Sequence, residues 1–162
     1  MLVAGSLPAT AFKGVSLRAL RKLQKIIQDK FQDPKVTTNT VVEEYVKIMT
    51  KNVKCRLADL ASVIKPAETG QPMYFLSHAW KAPIQLLFEV LFSFLANASE
   101  DTLVWCDILA VNQHPHGPGV PHNENQEDVR AFEDVLKVRA LGRHPLGLYT
   151  PQALVAVVRT AA

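Results

Sequence analysis

Residues 73–113 decide the fold, and they read MYFLSHAWKAPIQLLFEVLFSFLANASEDTLVWCDILAVNQ. The segment begins with the short apolar run Met73–Ser77, which is typical of a strand buried on both faces. It ends with Thr102–Val111, where enriched β-branched and aromatic residues predict a second strand. Pro83 can occupy the first turn of a helix between them, because its missing N–H would have no partner there. The order strand, helix, strand predicts a parallel pair with a right-handed crossover.

The connecting helix, predicted to run to about Asn97, is strongly apolar. Its polar residues fall four apart on one narrow stripe: Lys81, Gln85, Glu89 and Ser93. We therefore expect this helix to be mostly buried, or to be covered by a partner. Its most apolar part, residues 84–96, is shorter than the roughly 20 residues that a membrane-spanning helix needs, and it carries Glu89 near its middle. We expect a protein that is not transmembrane.

Residues 1–36 are predicted to form a basic helical leader. Ser16 can cap a helix that Asp33-Pro34 ends. Its apolar residues recur near the 3.6-residue period: Leu20, Leu23, Ile27 and Phe31. Its Lys and Arg side chains could bind an acidic partner, an anionic membrane surface or nucleic acid, or could simply be solvated. No aromatic residues interleave with them, which weakens the case for single-stranded nucleic acid.

Further helices are predicted between the leader and the first strand. Thr40 and Glu43 have the spacing of a capping box, which predicts a helix to about Lys51 with one broad apolar face. A shorter helix is expected over residues 57–64, and a turn over residues 68–72.

Downstream of the second strand, a long polar loop over residues 114–123 is expected to lead into an amphipathic helix over residues 124–137. Residues 138–162 are rich in turn-forming residues and have one short apolar run, so the pattern does not distinguish strand from helix. We therefore divide the chain into the leader, an α/β domain over residues 37–137, and a divergent tail over residues 138–162.

Composition excludes some classes of protein. The chain has 162 residues, of which 48% are hydrophobic and 20% charged, which fits one folded domain rather than a disordered tail. The formal net charge of +3 is too small to predict nucleic-acid binding. Residues 1–56 hold 11 Lys and Arg against 4 Asp and Glu, which leaves 7 against 11 in the remainder. The charge is therefore unevenly distributed, with a basic first third.

Cysteine use and the first residues indicate a compartment. Cys55 and Cys106 belong to no C-x-x-C pair, so a reducing compartment is the simpler interpretation. Residues 1–8 have no basic stretch before their short apolar run, which argues against a secretory signal. We expect a cytoplasmic protein.

The carboxyl ends of the two predicted strands should form one rim, where open α/β sheets bind ligands. Six candidate residues fall there: Ser77, His78, Trp80, Asp107, Asn112 and Gln113. Asp107 is the most informative, because a carboxylate inside an apolar strand is costly unless it is paired or lies at an open rim. It could bind a ligand or organise a loop, or it could accept hydrogen bonds from backbone N–H groups or from His78.

The other rim residues have two interpretations each. His78 could act as an acid or base near neutral pH, or donate a structural hydrogen bond. Ser77 lacks the G-x-S-x-G context of a nucleophile. Trp80 could stack on a base or pack in the core. Asn112 and Gln113 could contact a ligand or fix the loop through their amides.

Three histidines lie close together in the sequence after the second predicted strand. The spacing of His114, His116 and His122 superficially resembles one, but no cysteine or carboxylate is placed to complete the ligand set. No metal site is predicted from these residues.

The blocks Phe75–Trp80 and Trp105–Gln113 resemble a TIR-like family. In that family a strand ending in Ser-His-x-Trp is followed by a helix and then by a strand of the form Trp-x-Asp-x-x-x-x-Asn-Gln. The family is related to Toll-interleukin receptor domains and to the fungal heterokaryon-incompatibility domain. The similarity spans roughly Thr37 to Lys137. The two blocks together, rather than either one alone, carry the resemblance.

The resemblance implies a small flavodoxin-like parallel sheet and a signalling or protein-interaction role through self-association or partner binding. Some TIR domains instead cleave the glycosidic bond of NAD, which needs a carboxylate near an oxocarbenium-like ribose. Relatives of this sequence are expected to carry the glutamate in a Trp-Cys-x-x-Glu segment, and none follows Lys137. Glu124, Glu127 and Glu133 are candidates only by sequence proximity, and a solvated helix face accounts for them better.

We therefore predict a TIR-like interaction module with no cofactor of its own, for which NAD is a candidate substrate or ligand. The first alternative is an NAD-cleaving enzyme whose catalytic residues are unknown. The second is docking of a partner on the basic leader helix.

Overall fold

The computed structural model describes residues 13–76 and 78–114. Within them the chain forms one four-stranded sheet with helices packed against it, so the predicted α/β class is confirmed. The strands are β1 Gly14–Ser16, β2 Thr69–Gly70, β3 Tyr74–Leu76 and β4 Leu103–Cys106. The α-helices are α1 Leu17–Phe31, α2 Thr38–Val41, α3 Lys47–Thr50, α4 Ile84–Phe94 and α5 Asp107–Ala110. A π-helical turn over Val42–Val46 joins α2 to α3, and 3₁₀ turns cover Leu57–Asp59 and Pro66–Glu68.

The strand order is β2-β1-β4-β3. β3 and β4 are parallel, with Leu76 opposite Cys106, and α4 connects them as predicted. The sheet as a whole is mixed. The prediction of a parallel sheet is therefore wrong for the two pairings that involve β1. β1 is antiparallel to both β4 and β2. The leader therefore supplies a strand, β1, between β2 and β4. This strand has only three residues, too few for hydrophobic periodicity to reveal it.

Close backbone approach fixes one end of this sheet. A Cβ on Gly14 would lie 2.8 Å from the Cα of Pro72, closer than real Cβ contacts allow. Glycine therefore lets β1 approach the end of β2.

The first helix follows its sequence prediction closely. The Ser16 hydroxyl accepts a hydrogen bond from the backbone N–H of Ala19 at 3.2 Å, as an N-cap should. The buried residues of α1 include three of the four predicted apolar positions: Leu20, Leu23 and Ile27. The helix ends at Gln32, whose φ of 51° lies in the left-handed region, just before Asp33-Pro34.

The second helical region begins earlier than predicted. Thr37, and not Thr40, is the N-cap, because its hydroxyl accepts from the backbone N–H of Thr40 at 3.2 Å. The predicted capping box is wrong, since Glu43 instead pairs with Lys47 at 2.5 Å. The expected broad apolar face is buried only in part. Val41, Val42, Tyr45 and Val46 are buried, whereas Ile48 is 60% exposed and Met49 is 41% exposed.

Two shorter predictions also need correction. The helix expected over residues 57–64 is one 3₁₀ turn, Leu57–Asp59, followed by turns. The turn expected over residues 68–72 contains β2, which pairs with β1.

Both faces of the parallel pair are covered, as predicted. The main core lies on one face and includes Leu76, Val104 and Cys106. The opposite face has a smaller cluster of Phe75, Trp105, Ala110 and Val111, in which the first two rings lie 5.8 Å apart. Alternate side chains of β3 and β4 therefore point into separate clusters.

Helix α4 is less buried than expected and ends at Phe94 rather than near Asn97. Its buried face carries Ile84, Leu87, Phe88 and Leu91. Leu86 is 36% exposed and Phe94 56% exposed, so one apolar side of the helix faces outward.

Several predictions lie outside the described residues. They concern Ser77, the loop over residues 115–123, the helix over residues 124–137 and the tail over residues 138–162. Among the described helices, none has the length and apolar character needed to cross a membrane.

Candidate functional site

The parallel pairing of β3 and β4 builds the predicted rim. Leu76 and Cys106 are register partners, so the residues that follow them leave the sheet at the same edge. This places His78 and Asp107 side by side. The structure corrects one expectation, because Asp107 does not lie within the strand. The strand ends at Cys106, and Asp107 is the first residue of α5.

The Asp107 carboxylate accepts hydrogen bonds from the Trp80 indole, the backbone N–H of Ile108 and, at a longer distance, the Cys106 thiol. The Trp80 indole Nε1–H donates to Oδ2 at 2.8 Å, and the backbone N–H of Ile108 donates to Oδ1 at 2.8 Å. The side chain is 31% exposed, so solvent reaches part of it. Asp107 thus accepts a backbone hydrogen bond, as one interpretation predicted, while it remains accessible at the rim.

His78 lies beside this carboxylate but makes no hydrogen bond to it. Its Nδ1 is 3.8 Å from Asp107 Oδ1, and its side chain is only 1% exposed. In the part of the chain that the structure describes, neither ring nitrogen has a hydrogen-bond partner. Burial lowers the pKa of His78 below its usual value, and the Asp107 charge opposes that effect. The structural hydrogen bond that the sequence suggested is therefore not formed.

Cys106 completes a cluster that sequence analysis missed. Its thiol is buried, and its Sγ lies 3.8 Å from Asp107 Oδ1. Burial raises the pKa of Cys106 well above its usual value, and the Asp107 charge adds to this effect. One ligand-type atom from each of His78, Cys106 and Asp107 lies within 4.8 Å of the others. The missed signal is the position of Cys106, directly before the rim aspartate.

The following loop is fixed by amide hydrogen bonds. Gln113 Nε2 donates to the carbonyl of Val111 at 3.2 Å and to that of Asp107 at 3.3 Å. Asn112 Nδ2 donates to the Lys54 carbonyl at 2.8 Å. These bonds match the loop-fixing interpretation of both amides. Gln113 therefore contacts the backbone of Asp107, and Asn112 attaches the loop to Lys54.

A second contact attaches the same loop to the helical region. The backbone N–H of His114 donates to Asn112 Oδ1 at 3.0 Å, and His114 Nε2 lies 2.7 Å from the Thr50 hydroxyl oxygen. Thr50 in turn donates to the Val46 carbonyl at 2.7 Å. His114 therefore has a structural partner in the fold.

A pocket of about 220 Å³ lies away from the rim. It is formed by the last turn of α1, residues 32–36 and the first residues of α4. Sites for drug-sized ligands occupy about 300–1,000 Å³, so this pocket is small for a dinucleotide.

The comparisons with known proteins add no relative to this geometry. No protein-family model, no curated protein and no solved structure matches the chain. What the chain does is therefore inferred from its own residues.

Proposed function

We propose that this chain is a TIR-like signalling or protein-interaction module of the cytoplasm that acts by self-association. The observation that carries the proposal is an exposed apolar surface beside an edge strand. We call it the β3–α4 surface, and it consists of the exposed Met73, Leu86 and Phe94 together with the partly buried Tyr74.

The strand order supports association at this place. β3 stands last in the order and pairs only with β4 among the described strands. An edge strand with apolar side chains offers N–H and C=O groups that can pair with another chain.

Aromatic side chains of β3 and α4 contact each other on this surface. Met73 is 45% exposed and Phe94 is 56% exposed. The rings of Tyr74 and Phe94 meet edge to face with centroids 6.3 Å apart, which joins the strand to the helix. Leu86 lies on the same side of α4, about 12 Å from Phe94 along the helix axis. Exposed apolar side chains that cluster in this way mark association surfaces.

The geometry favours a second copy of the chain as the partner. A two-fold axis through β3 would pair this strand antiparallel with its own copy, so that each Phe94 flanks the new strand pair. A three-residue strand spans only about 10 Å, so its backbone bonds cover little area. A stable interface needs about 800 Å² on each partner, and the apolar side chains would have to supply most of it.

Size-exclusion chromatography with light scattering tests this proposal over a range of protein concentrations. We expect a concentration-dependent dimer. We expect Phe94→Lys to raise its dissociation constant at least about tenfold, because an unpaired ammonium group would be buried. Ile48→Lys is the matched control, since Ile48 is 60% exposed and lies on α3. A wild-type protein that stays monomeric throughout, or an equal effect of both variants, would overturn the proposal.

NAD cleavage is the alternative function, and the half-exposed Asp107 carboxylate is the observation in its favour. Trp80 beside it offers an aromatic ring for stacking, although its indole N–H is bonded to the carboxylate. The test is release of nicotinamide by the purified protein. Release that is lost in folded Asp107→Ala supports this function, and no release from folded wild-type protein excludes it.

The third possibility, docking on the basic leader helix, is weakened by ion pairs within the chain. Three basic side chains of α1 contact carboxylates of the same chain: Arg18 with Asp101 at 3.0 Å, Arg21 with Glu100 at 3.0 Å and Lys22 with Glu68 at 2.8 Å. Deleting residues 1–36 would also remove β1 from the sheet. Single charge-reversal variants such as Lys25→Glu, assayed for partner binding, are therefore the suitable test.

A further inference from the structure

The cluster at the carboxyl end of the parallel pair has the composition of a metal site. It brings together an imidazole, a thiol and a carboxylate, with one ligand-type atom from each within 4.8 Å of the others. The three side chains come from two adjoining strand ends: His78 follows β3, Cys106 ends β4 and Asp107 opens α5. The cluster is therefore fixed by the sheet itself, as a coordinating site requires.

The unpartnered imidazole is the second, independent observation. His78 is almost completely buried, yet neither of its ring nitrogens has a hydrogen-bond partner in the described part of the chain. Buried polar groups in folded proteins nearly always have a partner, so an exception calls for an explanation. A metal ion bound at Nδ1 would supply that partner on the side that faces Asp107.

We propose that His78, Cys106 and Asp107 form a site for a divalent transition-metal ion of the zinc type. This inference does not depend on self-association, because the site lies at the rim and not on the β3–α4 surface.

Metal binding requires the three side chains to move closer together, since their ligand-type atoms are grouped within 4.8 Å. Asp107 Oδ1 is 3.8 Å from both His78 Nδ1 and Cys106 Sγ. Ligand atoms around a tetrahedral zinc ion lie roughly 3–3.7 Å apart. The Trp80 hydrogen bond to Oδ2 holds the carboxylate plane, as outer-shell partners do at many metal sites.

The ligand types and charges select the class of ion. A neutral imidazole, a thiolate and a carboxylate carry two negative charges, which balance a divalent cation. Magnesium and calcium prefer oxygen ligands only, whereas zinc accepts nitrogen, sulfur and oxygen. Binding would form the metal–sulfur bond and release the Cys106 thiol proton to solvent. The partial exposure of Asp107 leaves one side of the ion open for a water molecule.

Cobalt(II) is the probe for this proposal, because a thiolate ligand gives it an intense near-ultraviolet charge-transfer band. We expect the full-length protein to bind one Co²⁺ with such a band, to release one proton, and to exchange Co²⁺ for Zn²⁺. Cys55→Ser is the key variant. The chain has only two cysteines, so a band that persists in this variant assigns the thiolate to Cys106.

Two further variants test the other ligands and the site's identity. Cys106→Ser should abolish the charge-transfer band, and His78→Asn should weaken Co²⁺ binding at least about tenfold, as ligand loss does. His114→Asn is the control, because His114 contacts Thr50 outside the site. Absence of the band in folded wild-type protein, its loss in Cys55→Ser, or equal effects of the two histidine variants would overturn the proposal. The wild-type and Cys55→Ser results decide the matter even if Cys106→Ser does not fold.

Discussion

The hydrogen bond between Trp80 and Asp107 should contribute measurably to stability. It joins the segment after β3 to the start of α5 with a donor–acceptor distance of 2.8 Å. A hydrogen bond to a charged group contributes about 1.5–3 kcal/mol. Because Asp107 is 31% exposed, water can replace part of the lost donor, so we expect the low end of that range. Trp80→Phe keeps an aromatic ring and removes the N–H.

A double-mutant cycle separates this bond from the loss of ring packing. The free energy of unfolding is measured by urea denaturation and far-ultraviolet circular dichroism for wild type, Trp80→Phe, Asp107→Ala and the double variant. We expect a coupling energy of about 1.5 kcal/mol between the two positions. A coupling energy indistinguishable from zero would refute the conclusion that this bond holds the carboxylate.

Two other predictions concern the core and the surface. Leu91 on α4 is fully buried. Leu91→Ala should therefore lower the free energy of unfolding by about 2–5 kcal/mol, and a loss below about 1 kcal/mol would contradict its core position. Hydrogen bonding from Lys22 lowers the pKa of Glu68 in the folded protein. The ion pair therefore stabilises the fold fully at pH values above the usual carboxyl pKa. This stabilisation is lost as the pH falls through the lowered pKa of the folded state. Glu68→Gln should therefore lower the free energy of unfolding by under about 1 kcal/mol near pH 7 and by less near pH 3, and an equal loss at both pH values in urea denaturation would be evidence against the pair.

Local signals predicted the elements that local interactions build. Ser16 caps α1 because a hydroxyl at that position can satisfy a free N–H, whatever the rest of the chain does. Thr37 and Thr40 both carry a hydroxyl group that could cap the second helix, and they lie three residues apart. The sequence alone therefore did not show that Thr37 is the cap and that the backbone N–H of Thr40 donates to it. β1 was missed because only its antiparallel neighbours define it as a strand.

The candidate site was predictable only in part for a related reason. The alternation of strand, helix and strand placed His78, Trp80 and Asp107 at one edge. The end of β4 at Cys106 was not predictable, because the apolar residues Ile108 and Leu109 continue the strand pattern into α5. The depth at which His78 and Cys106 are buried depends on packing between distant segments, which no local pattern encodes.

The central place of β1 has a consequence for how the protein folds. Val15 pairs with Val104, about 90 residues further along the chain, so the middle of the sheet closes only after β4 has been synthesised. Contacts between such distant residues slow folding. During synthesis on the ribosome, residues 14–16 emerge early and must wait for both neighbours. Until residues 14–16 insert, the edge of β4 that later pairs with β1 is open to other chains. At this stage the chain can therefore bind chaperones or misassemble with other chains.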